Sequence, residues 1–174
     1  MDLYEYIRNV PDFPKPGIQF KDIMPLVGDA KAFKEAISQM KDILAPLNVD
    51  YIVSMEARGF IFGAPLAIEL GVGFVPLRKP GKLPYKVKTA KLTKEYGEDI
   101  LCIHEDAIPK GARVALVDDL LATGGTAKSA VELVESLGGE VVCALFLIEL
   151  LGLEGRKPLK GYDVKCLLEI EVDE

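Results

Sequence analysis

At 174 residues the chain is about the size of one domain and long enough to bury a sizeable core. Its 49% hydrophobic and 28% charged residues describe a folded protein, and a net charge of −6 argues against a general affinity for nucleic acid. The longest apolar run, VVCALFLI at 141–148, is far too short to span a bilayer, and no basic start followed by an apolar stretch suggests a signal peptide. Cys102, Cys143 and Cys166 are odd in number, widely spaced and set in apolar surroundings. They are therefore expected to be free thiols in a cytoplasmic protein with no membrane partner.

In chain order, DLYEYIRNVPDF predicts a short helix stopped by Pro11, and FPKPGIQFKD at 13–22 predicts an irregular, stiffened segment and not an element. Phe33, Ile37, Met40 and Leu44 recur at helical spacing behind Asp29, a candidate cap. From Asp50 the signature alternates: strand DYIVSM, helix RGFIFGAPLAIEL closed by Gly71, strand GFVPLR. After a basic stretch, EDILCIHEDAI is expected to return antiparallel to part of it as a hairpin-like flap. The chain then resumes as a strand at 113–118, a helix at 126–137 closed by Gly138 and Gly139, and a strand at 140–149. Such alternation builds an α/β protein with a mostly parallel sheet covered by helices, and ligands bind beyond the carboxyl ends of its strands.

Three loops leave those ends: SMEARG, RKPGKLP and DDLLATGGT. In the last, the apolar strand ends in Asp118 and Asp119, and a small-residue loop leads straight into a helix. Two glycines let backbone amides approach a ligand closely, Thr123 and Thr126 add hydroxyls, and the helix dipole favours an anion. Carboxylates beside such a loop suit sugar hydroxyls, so the run reads as a pocket for a phosphorylated sugar. It is neither the nucleotide P-loop nor the dinucleotide fingerprint. Between Arg78 and Lys94 lie seven of the 21 basic residues and none of the 27 acidic ones. A small polyanion held there and a solvated surface loop are both open readings. His104 has no nucleophile elbow near it and reads as a packing or surface residue, and no Cys/His spacing suggests zinc.

VALVDDLLATGGTA is similar to the phosphoribosyl diphosphate (PRPP) motif of the type I phosphoribosyltransferases. With FPKPGIQFKDI, EARGFIFG, RKPGKLP, KEYGED and the later IEL, the chain resembles their adenine-specific family along nearly its whole length. The resemblance implies a single domain over 1–174 with a mostly parallel central sheet flanked by helices, a small N-terminal hood at about 1–28 and a flexible antiparallel flap at about 79–104. It implies transfer of phosphoribose from PRPP to adenine in purine salvage, giving AMP and diphosphate, by a homodimer. The rivals are a hypoxanthine, guanine or xanthine enzyme of the same fold, and a non-catalytic PRPP sensor.

Residue by residue, the resemblance assigns Ala122, Thr123, Gly124, Gly125 and Thr126 to the 5-phosphate and Asp118 and Asp119 to the ribose, with Asp118 also counted as catalytic. Arg58, also counted as catalytic, is expected at the diphosphate with Arg78, Lys79 and Lys82. Glu95 is expected to exchange a proton with the purine ring. Phe20 would stack on the base, Gln19 and Lys21 would read its edge through their backbones, and Leu150 would close the far side. Mg²⁺ is expected to be held mainly by PRPP and water, with no protein ligand. For Arg58 a surface salt bridge, for Glu95 a solvated acid, and for Phe20 a place in the core remain the alternatives.

Overall fold

The computed structural model describes residues 1–94 and 97–172, with the side chains of 92–99 outside that description. A 3-10 turn, Leu3–Tyr6, precedes β1 (Arg8–Pro11) and β2 (Gln19–Asp22), then α1 (Met24–Val27) and α2 (Ala30–Leu44). The alternating part follows: β3 (Tyr51–Met55), α3 (Arg58–Leu70), β4 (Gly73–Leu77), β5 (Val87–Lys94), β6 (Gly97–His104), β7 (Arg113–Leu121), α4 (Gly125–Ser136), β8 (Glu140–Leu151) and β9 (Val164–Glu171).

Five strands form the main sheet in the order β4-β3-β7-β8-β9, and every pairing in it is parallel. The crossovers put α2 and α3 on one face, and α4 with the β5–β6 hairpin on the other. Along β7, Ala115 and Val117 join the first core while Val114 and Leu116 join the second, so the strand is buried on both faces. That accounts for its unbroken apolar run. The order reverses between β3 and β7, and their adjacent carboxyl ends make the crevice where such sheets bind ligands.

Local chemistry fixes the helices that frame this crevice. Asp29 accepts a hydrogen bond from the Ala32 amide at 2.9 Å and starts α2, which buries Ile37, Met40 and Leu44, each side chain contributing roughly 1.5–3 kcal/mol by burial. Gly71, at φ 68°, closes α3 with its amide on the Ala67 and Ile68 carbonyls. A side chain at Gly63 would come within 2.0 Å of Ser54 Oγ, so a bare backbone lets α3 lie directly against β3.

The sheet, α2, α3, β4 and the antiparallel return of β6 on β5 agree with the sequence reading. Other boundaries differ. Residues 8–11 and 19–22, expected as helix and irregular chain, form an antiparallel hairpin. Long-range side-chain ties decide this: Arg8 Nη2 lies 2.6 Å from Asp22 Oδ2, and Asn9 donates to Gln19 Oε1 at 2.9 Å. β7 runs on to 121 on its ladder with β8, β8 runs on to 151 on its ladder with β9, and α4 begins one residue earlier than expected. The edge strand β9, for which the sequence reading has no counterpart, alternates buried and charged positions where an apolar run was the signal sought. Cys102, Cys143 and Cys166 are free. No helix among the described residues is long and apolar enough to cross a membrane.

Candidate active site

β7 delivers the acid pair. Asp119 is only 6% exposed, and its amide donates to Asp118 Oδ1 at 2.8 Å. Burial and the neighbouring Asp119 charge hold the Asp118 carboxyl well above the usual carboxylate range. Arg58 opens α3 at the end of the turn after β3, and its Nε lies 3.0 Å from Asp119 Oδ2. Gly59 lets the start of α3 lie against the other acid, since a Cβ there would stand 2.9 Å from Asp118 Oδ1.

The loop 122–124 then turns into α4. Gly124 takes φ 87°, a left-handed conformation that disfavours a side chain, and itself has no side chain with which to cap the helix. The first-turn amides of α4 and the dipole behind them therefore face the crevice, with Thr123 and Thr126 exposed at its lip. Arg58, Asp118, Asp119, Ala122, Thr123, Gly124 and Thr126 line one cleft of about 170 Å³. Gly125 is the first residue of α4 beside it. Acids, cation and anion-binding amides thus stand together, as a sugar phosphate requires.

Phe20, on the N-terminal hairpin, meets Arg58 at the edge of this cleft. The Arg58 guanidinium carbon lies 5.5 Å from its ring centroid, and Phe13 meets it edge-on at 5.2 Å. Phe20 is half-buried and belongs to neither core cluster. Beside it, Lys21 Nζ donates to Asn9 Oδ1 at 2.8 Å and Gln19 Oε1 accepts from Asn9, so both side chains are tied within the hairpin. Leu150 lies near the carboxyl end of β8, packed against the core on the α2 face.

The remaining cations are not gathered into that cleft. Arg78 Nε lies 3.3 Å from Glu56 Oε1, and the same oxygen accepts the Lys79 amide at 2.7 Å. That hydrogen bond, with Arg78 beside it, holds the Glu56 carboxyl below its usual range. The clamp joins the loops after β3 and β4. Lys79 and Lys82 are exposed around the turn at Gly81, φ 81°. Glu95 lies outside the described residues. His104 accepts from the Tyr85 amide at Nε2, 3.3 Å, so it serves the base of the flap.

Sequence reasoning missed Glu56, and it missed a buried ion pair on β8. Glu149, 7% exposed, faces Arg156, whose Nε is 3.0 Å from both carboxylate oxygens, with Cys166 Sγ 3.7 Å from one of them. Glu169 completes a small group of possible metal ligands there, but Arg156 already occupies Glu149. An acid inside the apolar run LFLIELL was the available signal, because a buried carboxylate needs a partner.

A family model described as the phosphoribosyl transferase domain matches residues 25–174. An adenine phosphoribosyltransferase of Clostridium kluyveri is 56% identical over 172 residues, covering 99% of this chain and all of the relative. The crystal structure of adenine phosphoribosyltransferase from Thermoanaerobacter pseudethanolicus matches with a TM-score of 0.94 at 54% identity, over 97% of this chain and 100% of that one. That of Saccharomyces cerevisiae, complexed with an imino-altritol bisphosphate and adenine, matches with a TM-score of 0.90 at 43% identity, over 93% and 94%. More than half of the residues are shared along nearly the full length, and the fold places the acid pair and glycine loop at its switch point, so the chain belongs to the adenine phosphoribosyltransferase family.

Proposed function

We propose that this chain transfers the phosphoribosyl group of PRPP to adenine, releasing AMP and diphosphate in purine salvage. The observation that carries the reading is the single cleft in which Asp118, Asp119, Arg58 and the first turn of α4 stand together, with Phe20 over Arg58. The yeast relative's complex with adenine and a bisphosphorylated iminosugar supports the same substrate pair.

In this reading the amides of 122–126, with the hydroxyls of Thr123 and Thr126, hold the 5-phosphate. Asp118 and Asp119 receive the ribose hydroxyls. As the bond from the anomeric carbon to diphosphate breaks and the bond to a purine nitrogen forms, positive charge grows on the ribose and negative charge on the leaving group. The acid pair stabilises the first. Arg58, released from Asp119 as the substrate arrives, meets the second, helped by Arg78, Lys79 and Lys82. Glu95, carried by the flap, takes the proton the purine nitrogen must lose. Phe20 and Leu150 sandwich the base, and the backbones of Gln19 and Lys21 read its edge, leaving their side chains on Asn9.

The cleft's oxygen donors suit a hard cation such as Mg²⁺. The ion would be held mainly by PRPP and water. Bound there it would neutralise charge on the leaving diphosphate. The working form is a cytoplasmic homodimer of single-domain chains, each with a hood at about 1–28 and a flap at about 79–104.

The test is to mix the protein with PRPP, Mg²⁺ and each purine base in turn and follow nucleotide formation. Adenine is expected to be consumed, and Glu95→Gln is expected to lower kcat far more than it raises the KM for PRPP. Turnover of hypoxanthine, guanine or xanthine in place of adenine overturns the specificity, and no turnover with any base favours a PRPP sensor.

A further inference from the structure

The phosphate loop does not rest on its own strand and helix alone. A Cβ on Gly124 would meet the Gly155 carbonyl oxygen at 2.2 Å, and a Cβ on Gly155 would meet the Ala122 carbonyl oxygen at 2.4 Å and Leu121 Cγ at 2.8 Å. The two stretches lie backbone against backbone, with no room for a side chain on either. In close packing of this kind, a shift of one wall is passed to the other.

The segment carrying Gly155 is irregular, with Gly152 at φ 99° and Glu154 at φ 56°. Its strong tether is Arg156. Nε is 3.0 Å from both oxygens of buried Glu149, and Nη1 donates to the Val164 carbonyl at 2.9 Å. The guanidinium itself is half-exposed, so it satisfies a buried acid from the rim of the fold. Glu149 is fixed independently of it, since β8 is laddered to β7 and to β9 at that residue.

We infer that Arg156, held by Glu149, is a positioning residue for PRPP: it sets the place of Gly155 and through it the loop 122–124 that receives the 5-phosphate. This rests on the phosphate role proposed above for that loop. It also predicts an asymmetry. Leu150, beside Glu149, is held by its ladder to β9 and stays in place when Arg156 changes, so the base side should not respond.

The experiment compares steady-state kinetics of the wild-type protein with Arg156→Lys, Gly155→Ala and Lys157→Ala. Lysine keeps the charge but loses the fork geometry and the Val164 contact. Gly155 is not at positive φ, so its alanine variant acts only through the crowded Ala122 carbonyl and leaves the ion pair whole. Both are expected to raise the KM for PRPP roughly tenfold, with the KM for adenine within about twofold of wild type, the scale of a sub-ångström misplacement. Lys157, whose ion pair with Glu154 is exposed, should change neither. If the wild-type protein does not turn over adenine with PRPP, the functional reading fails and this one with it. If it does, an unchanged PRPP KM in both variants, or equal rises for both substrates, overturns the positioning role alone.

Discussion

The two sides of the cleft are built differently. The ribose-phosphate side stands on β7 and α4, at the centre of a five-stranded sheet with a core on each face. The parts proposed to hold the base and the diphosphate include two separate two-stranded sheets, β1–β2 and β5–β6, the latter packed on α4 and bridged to the body by the Arg78–Cys102 backbone pair. Arg8 with Asp22 and Asn9 with Gln19 and Lys21 hold the first hairpin together, Arg58 under Phe20 links it to the body, and Glu56 with Lys79 and Arg78 joins the loops after β3 and β4. In the β1–β2 hairpin only Lys21 is buried, so that part of the base side can move at lower cost than the ribose-phosphate side. The division suits a reaction in which one substrate is anchored by its phosphate and the other parts close over it.

The largest effects are expected on the fixed side. Asp118 is held above the usual carboxylate range chiefly by burial, then by Asp119. A carboxyl whose folded pKa exceeds its unfolded one binds its proton more tightly in the native state. Stability is therefore unaffected below the unfolded value of 3.8, falls as pH rises toward the raised folded value, and stays reduced above it. Asp118→Asn removes that cost. It should stabilise the ligand-free protein near neutral pH by about 1 kcal/mol, or ~2–4 °C, while lowering kcat/KM by roughly ten- to a thousandfold. Melting curves and kinetics on the same preparation decide it, and a variant with full activity contradicts the ribose role.

Glycines make the contrast between the sides directly measurable. Gly124 and Gly81 both take positive φ, 87° and 81°, but a Cβ at Gly124 collides with Gly155 whereas nothing lies within 4 Å at Gly81. Gly81→Ala should cost only the local strain, about 1 kcal/mol. Gly124→Ala should cost about 2–3 kcal/mol and raise the KM for PRPP by roughly a hundredfold. Similar losses from both substitutions would erase the distinction drawn here.

The same division governed what could be read from the sequence. β7, the acid pair and the glycine loop are contiguous, and their chemistry follows from residue order, so VALVDDLLATGGTA located that side unaided. Arg58 was legible because it follows a strand end directly. The N-terminal hairpin was not, because Arg8 and Asp22 are 14 residues apart and a proline-rich turn hid the pairing. Arg156 and Glu149, or Glu56 and Lys79, are residue pairs whose partnership exists only once the loops are brought together. Family resemblance could name Phe20 and Leu150, and three-dimensional structure was needed to put Phe20 over Arg58.

The smallest effect is expected at the Glu56 clamp between the loops after β3 and β4. Glu56 is held below 4.5, first by the Lys79 amide and then by Arg78. A depressed folded pKa contributes stability that is fully present above the unfolded value and is lost as pH falls through the folded one. Glu56→Gln should therefore cost about 1 kcal/mol at neutral pH, ~2–4 °C in melting temperature, and the gap to wild type should close in acid as the native carboxyl takes up its proton. Because Phe20 and Leu150 do not touch this clamp, the KM for PRPP should rise a few-fold with adenine unaffected, an effect far below that of Gly124→Ala. A melting gap that persists unchanged at low pH would mean that the clamp joining the loops after β3 and β4 works by shape and not by charge.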